Sequence, residues 1–425
     1  MPASAWGDGM SERVVITGAG FVSALGGDRA ATWAALDAGR SGAAPVAGFD
    51  ARGFACRRAA QAAAPDADAL GVSPRDAYIM GRSNLWFLQA ARAALAEAGL
   101  PAVCTDGPAV GCFAALGMID PVPDDLRAAA VRSRGPDGAF DHDRFYADAY
   151  REIYPLWPLA ILNNVGFCMA AAGLGIRGEN AVFAGGADAG AAALIEAADV
   201  VGAGRVDVAL AGGAAEAITP LGLARWHRQA ALIPGDGPEP ACRPFHPASG
   251  GVVPGEGAAV LVLEREASAR TRGVPILAAV AGWGCAGGES AVARAAERAL
   301  TTGAGGPRAV DVWIPHGEGA PARDADETAA YRRLWPRPAA APPVAAFKGR
   351  LGHLGPAALM ADAALTVEIF RTGRMPAAWP DGAGADPMLP LAATGPGAAP
   401  RTVLLSVRGW TDAAAAVVLT AGAAP

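Results

Sequence analysis

The chain has 425 residues, 52% of them hydrophobic and 18% charged, a balance that suits a globular protein with a large core and excludes a disordered one. Its net charge of −6 and isoelectric point near 5.5 speak against nucleic acid or an anionic membrane as a partner. The six cysteines (Cys56, Cys104, Cys112, Cys168, Cys242 and Cys285) form no CxxC pair, so neither a zinc site nor a disulfide framework is indicated. Reduced, mostly buried thiols in a cytoplasmic protein are expected.

Residues 1–12 lack the charged-then-apolar order of a signal peptide. Strand-like runs then alternate with helical patterns, which reads as α/β. Residues 13–17 form a buried strand running into a Gly18-Ala19-Gly20 turn; the turn does not complete GxGxxG, so no dinucleotide site is read there. Ser73-Pro74 reads as an N-cap followed by proline in the first turn, Leu85, Leu88, Ala91 and Leu95 follow at helical spacing, and Gly99 closes the helix. Residues 120–154 are richer in charge and aromatics and read as an exposed insertion. The longest uncharged run, 155–176, holds two prolines and the Asn163-Asn164 pair, and reads as a buried segment rather than a membrane span.

Next come a strand over 180–183, an Ala-rich helix over 187–201 and strands over 206–210 and 258–263, the last two separated by a Pro/Gly-rich loop. After Arg265 the alternation begins again, with strands near 276–281, 309–314, 344–347, 403–407 and 414–419. The simplest description is two successive α/β halves, 1–268 and 269–425. One count is unusual: Lys348 is the only lysine among 35 basic residues, which suggests a compact point charge that a guanidinium cannot imitate.

Four ordered blocks carry a family resemblance. Residues 13–27, RVVITGAGFVSALGG, resemble the opening strand and turn of β-ketoacyl synthases. Residues 242–264, CRPFHPASGGVVPGEGAAVLVLE, are similar to that family's "RPFD…GFVxGEGAGxLVLE", with His246 in place of Asp. Residues 315–327, PHGEGAPARDADE, resemble "HGTGTPxxDxxE", and 347–355, FKGRLGHLG, resemble "KxxxGHxxGAAG". The resemblance implies a thiolase fold, five layers α-β-α-β-α in two pseudo-twofold-related halves. It also implies a site in which a helix N-terminal cysteine carries an acyl chain while two histidines and a lysine assist decarboxylation and condensation. It places the histidines at His316 and His353 and the lysine at Lys348, and it implies no cofactor beyond the phosphopantetheine arm of an acyl carrier protein.

The cysteine is the departure. Residues 180–194, NAVFAGGADAGAAAL, align with "NxAVSTACATGAHAI", which puts Ala187 where the cysteine should be and matches Gly190 to the following glycine. A methyl group cannot hold a thioester. Glu318 and Ala320 stand where the family has two threonines that bind the pantetheine arm, and Arg408 and Trp410 fall within its Phe/Gly gate.

The resemblance therefore points first to a chain length factor, a subunit that pairs with a cysteine-bearing ketosynthase and shapes the pocket of a polyketide or fatty-acyl chain. The alternatives are a malonyl-carrier-protein decarboxylase using the two histidines, or an engineered Cys-to-Ala ketosynthase. Three placements are expected. His316, His353, Lys348 and Ala187 converge in one buried pocket, Lys348 faces an acid for which Glu327 is the candidate, and residues 194–210 and 155–169 line the contact with the partner.

Overall fold

The computed structural model describes residues 12–104, 109–229, 232–235, 242–337, 341–376, 389–391 and 399–422. In chain order the elements that position the site are β1 (Val14–Ser23), α1 (Pro74–Glu97), β2 (Val110–Leu116), α2 (Asn163–Gly173), β3 (Asn180–Phe183), α3 (Ala187–Gly202), β4 (Val208–Ala215), β5 (Gly257–Arg265), β6 (Ala278–Gly287), α4 (Ala291–Gly303), β7 (Val312–Ile314), α5 (Pro321–Leu334), α6 (Ala358–Thr372), β8 (Thr402–Arg408) and β9 (Ala413–Ala421).

The strands form one hydrogen-bonded ribbon in the order β3-β2-β4-β5-β1-β6-β9-β8-β7, but its middle is thin. β1 pairs with β5 along nearly its whole length and with β6 only through Val14, Val15 and Ile16. On each side of that short ladder the topology repeats. In the first half β2 pairs in parallel with β3 and β4, β4 is antiparallel to β5, and β5 is antiparallel to β1. In the second half β7 is parallel to β8 and bridges Val344 in parallel, β8 is antiparallel to β9, and β9 is antiparallel to β6. The halves are two copies of one unit, so the repetition absent from the letters is present in the strand order. The strand expected over 344–347 is reduced to Val344, which bridges Trp313 on one side and Leu391 on the other.

Period-two alternation sorts side chains into layers. Along β5, Ala259, Leu261 and Leu263 face a central core shared with α3 and α6, while Ala258, Val260 and Val262 face α1 and α2. Along β8, Val403, Leu405 and Val407 face the same central core and Leu404 faces α4 and α5. Helices outside, sheet, helices inside, sheet and helices outside make the five layers of the thiolase fold.

Local rules set the helix ends. Ser73 accepts the amide of Asp76 and Pro74 opens α1, while Gly99 (φ +63°) turns the chain just past its end. Residues 123–152 fold as short, largely exposed helices, matching the expected insertion. Along α3 and β4, Leu194, Val200, Val201, Val208 and Leu210 are buried, while Glu196, Asp199, residues 203–205 and Asp207 keep a partly exposed stripe. Of the 194–210 run expected to line a partner contact, that stripe reaches the surface, and the rest belongs to the central layers. The open edge of the first half is β3, which pairs on one side only.

Small residues let the central layer close. A Cβ on Gly190 of α3 would lie 2.5 Å from the carbonyl oxygen of Pro356, just before α6. Gly190→Ala should therefore lower unfolding free energy by about 1–3 kcal/mol, the usual range for overpacking, as measured by urea denaturation. Gly173→Ala at the open end of α2, where nothing lies within 4 Å, should be neutral or slightly stabilising.

Candidate active site

The site is built where the loop after β7 meets the turn before α6. α5 holds the first of these through two acids one turn apart. Glu327 accepts the backbone N–H groups of His316 and Gly317, both at 2.7 Å, and Asp324 accepts those of Phe245 (2.7 Å) and Gly319 (3.2 Å). Burial pushes the Glu327 carboxyl up to about 8 and that of Asp324 up to about 7, against the pull of these N–H donors. Positive φ at Gly317 and Gly319 lets the loop turn so tightly that His316 and Glu318 both lie buried.

His353 is fixed from the other side. Its amide donates to Val253, its carbonyl accepts from Gly255, and its Nδ1 accepts the amide of Gly355 at 2.9 Å. A neutral imidazole whose Nδ1 accepts carries its proton on Nε2. That nitrogen lies 3.0 Å from Nε2 of His316 and 3.5 Å from Oε2 of Glu318, and His316 Nε2 is 3.1 Å from the same oxygen. Arg323 brings Nε within 3.3 Å of the other oxygen, Oε1, close enough for charge attraction but outside hydrogen-bond alignment.

Burial holds the His316 imidazole down at about 3, with Glu318 pulling the other way. Burial opposes ionisation of Glu318 too, yet donation from His316 and His353 keeps its carboxyl far below the usual range. The consistent assignment is two neutral rings donating Nε2–H toward one ionised carboxylate. His316 Nδ1, which has no partner, is then an empty lone pair rather than a stranded buried N–H.

His316 Nε2, His353 Nε2 and Glu318 Oε2 are also spaced much as three ligands around a zinc ion would be, since bonds of about 2.0–2.1 Å in a tetrahedron place ligand atoms roughly 3.3 Å apart. The surroundings do not fit. A metal-bound histidine normally donates its remaining ring N–H, whereas Nδ1 of His353 is an acceptor.

Lys348 donates to Asp362 of α6 at 2.8 Å, with both side chains buried. Its acid is thus Asp362 and not Glu327, whose two oxygens are engaged by the amides of residues 316 and 317; this corrects the sequence expectation. Asp362 is readable in hindsight as an acid embedded in an otherwise apolar stretch, ALMADAALTV, which needs a cation.

Ala187 is the first residue of α3 and fully buried, behind Gly186 as N-cap. Trp410 packs against both Gly186 and His353. The indole stacks on His353 (centroids 5.9 Å apart, planes at 17°), meets Trp226 edge-on, and lies 3.0 Å from where a Cβ on Gly186 would sit. Trp410 is tied down from several directions. Arg323 donates to the carbonyl of Gly409, Arg408 pairs with Asp326, and the Asp188 carboxylate lies against Gly409. Ala320 packs with Trp226 and Val252 in a small apolar cluster on which Trp410 rests. The four expected residues are all buried: the histidines touch, Lys348 pairs with Asp362 near enough for its charge to act on His316, and Ala187 follows Gly186, against which Trp410 packs. Sequence reasoning missed Glu318 as the meeting point of the histidines and Trp226 as the support of Trp410.

The thiol of Cys242, the cysteine bonded to this loop, donates to the carbonyl of Glu318 and is buried. Lys348→Met should cost about 3–5 kcal/mol in urea unfolding because it strands Asp362, whereas Lys348→Met with Asp362→Leu should recover most of that loss. His316 also sets a pH dependence. Its folded value of about 3 lies below the unfolded one near 6.5, so its contribution is present above pH 6.5 and declines as pH falls, by roughly 1.4 kcal/mol per unit. Unfolding of His316→Gln should be correspondingly less sensitive to acid than wild type between pH 6.5 and 5.

Two family models match the chain. The N-terminal domain of β-ketoacyl synthases matches residues 11–269 and the C-terminal domain matches residues 284–379. The chain is 31% identical over 354 residues to "Oxytetracycline polyketide putative beta-ketoacyl synthase 1" of Streptomyces rimosus, covering 81% of each. It is 28% identical over 379 residues to 3-oxoacyl-[acyl-carrier-protein] synthase 2 of Coxiella burnetii, covering 86% of this chain and 87% of that protein. Among solved structures it superposes on the ishigamide ketosynthase/chain length factor with a TM-score of 0.82 and 27% identity, over 96% of this chain and 99% of that one. The chain belongs to the β-ketoacyl synthase family.

Proposed function

We propose that this chain is a non-condensing subunit that pairs with a cysteine-bearing ketosynthase and helps shape the pocket for a growing acyl chain, the role of a chain length factor. The observation that carries the reading is the carboxylate of Glu318 between the two histidines. The Nε2 atoms that would steady a thioester enolate face an internal anion instead, that of His316 at 3.1 Å and that of His353 at 3.5 Å. Ala187 at the start of α3 supplies no nucleophile, and Trp410 with Ala320, Trp226 and Val252 fills ground that the family resemblance assigns to the pantetheine arm and gate. Likeness to a ketosynthase/chain length factor supports the same reading. An acyl carrier protein is then met through the partner's site, and the pair works in the cytoplasm; among the described residues no helix is long and apolar enough to cross a membrane.

The partner contact is assigned to the open edge of β3 and the 155–169 segment. A one-sided strand leaves backbone donors and acceptors free to extend the sheet. In the 155–169 segment, Leu159, Leu162 and Cys168 are exposed, in a run that is too apolar to stay in water. The second reading, a malonyl-thioester decarboxylase, is favoured by one observation, the touching pair of neutral histidines.

Co-expression with a cysteine-bearing ketosynthase encoded beside it should give a stable heterodimer by size-exclusion chromatography. Intact-mass spectrometry should find acyl groups on the partner and none on this chain. Leu162→Asp should weaken pairing by tenfold or more, about 1.4 kcal/mol, while leaving the chain's own thermal unfolding nearly unchanged. A homodimer that gains nothing from the ketosynthase and decarboxylates malonyl thioesters would instead establish the second reading.

A further inference from the structure

We propose that His316, His353 and Arg323 form a carboxylate-binding site whose resident ligand is the chain's own Glu318, and that a small free carboxylate takes its place once that side chain is shortened. The site is a property of the donor cluster alone and stands whether or not the chain pairs with a ketosynthase.

The shape of the cluster argues for this ligand class. Two N–H donors converge on one oxygen from 3.1 and 3.5 Å, and a guanidinium lies 3.3 Å from the other oxygen. That pattern fits a planar, singly charged anion with two oxygens. Neither imidazole can turn away: Nδ1 of His353 is held by the amide of Gly355, Trp410 stacks on its face, and the backbone of His316 is clamped by Glu327. His316, Glu318 and His353 are each at most 2% exposed, so the donors are preorganised out of water, where an unpaired N–H is expensive. Arg323 also donates to the carbonyl of Gly409, which links the carboxylate to the segment carrying Trp410. Glu318 is thereby a positioning residue, holding two rings and, through Arg323, the indole above them.

Replacing glutamate by alanine deletes one methylene carbon and the carboxylate, the heavy atoms of acetate. Glu318→Ala therefore leaves a buried, donor-lined space of acetate's size. Full-length protein, wild type and Glu318→Ala, would be followed by thermal unfolding at pH 7.5 in increasing sodium formate or sodium acetate, with sodium chloride at matched ionic strength as control. The variant should melt below wild type and regain about 2 °C at a carboxylate concentration tenfold above its Kd, saturably and not with chloride. Wild type should not respond, and adding His353→Ala to the variant should abolish the rescue. Equal response to chloride and acetate, or rescue that survives loss of His353, would overturn the proposal.

A second measurement on wild type decides the matter should Glu318→Ala fail to fold. The chain has five histidines, so ring nitrogens labelled with 15N give few signals. At pH 7.5 the signals lost in His316→Gln and in His353→Gln should both report the neutral Nε2–H form. An Nδ1–H form or an imidazolium at His316 would mean that Glu318 is not accepting from both rings, and would refute the site.

Discussion

The structure depends on how closely α3 can approach the turn that follows His353. That approach is set by missing side chains: Gly190 on α3 and Gly213 on β4 both abut the carbonyl of Pro356, where a Cβ would lie 2.5 and 2.8 Å from the oxygen. A five-layer fold must bury two helices between two sheets, and an interior packed to crystal density leaves no slack for larger residues. The Ala-rich composition is the answer to that constraint. Once α3 is seated, its N-terminus is fixed next to residues 353–357, and the neighbourhood of Ala187 and His353 follows from packing rather than from any attraction between them.

Around that seam the buried charges are paired one by one. Lys348 meets Asp362, Glu368 meets Arg29 and Arg371, Glu264 meets Arg272, and Glu256 meets Arg82. Glu256 shows the penalty such burial carries: desolvation raises its carboxyl to about 7 although Arg82 opposes the shift. Arginine serves where the charge also reaches solvent or several acceptors, as Arg29 does with Glu97, Glu368 and the carbonyl of Ala19. The lone lysine sits where a single acid is enclosed on a central helix, a place suited to a compact ammonium. Its survival as the only lysine agrees with a geometric requirement rather than chance.

Much of this was legible in the letters, and the failures share one cause. Strand and helix positions follow from local periodicity, so Ser73, Gly99 and the run 187–201 announced themselves. β2 went unread because GCFAA carries no alternation: a strand buried on both faces looks like any apolar segment. The acid for Lys348 was sought in its motif, at Glu327, whereas the partner lies fourteen residues on, along a helix whose packing alone brings it near. Whether 194–210 is central or exposed depends on the layer it joins, which no window of sequence contains. Glu318 was visible as a substitution, but its meaning required knowing that two rings converge on it.

That convergence changes the weight of the retained histidines. If Ala187 stands where the resemblance expects the acyl-carrying cysteine, two histidines that touch in a buried site look like residues kept for catalysis. Here each has a structural reason to remain. His353 accepts the amide of Gly355 and supports Trp410, and both rings satisfy a carboxylate that would otherwise be a bare buried charge. Removing either ring would strand Glu318, and removing Glu318 would strand both rings. A triad bound in this mutual way resists single substitutions whatever its chemistry, because every first step leaves an unpaired buried group. Retention of His316 and His353 therefore follows from the presence of Glu318 as readily as from catalysis. The distinguishing property is whether the Nε2–H donors are free to meet a substrate oxygen, and here they face Glu318 Oε2 at 3.1 and 3.5 Å.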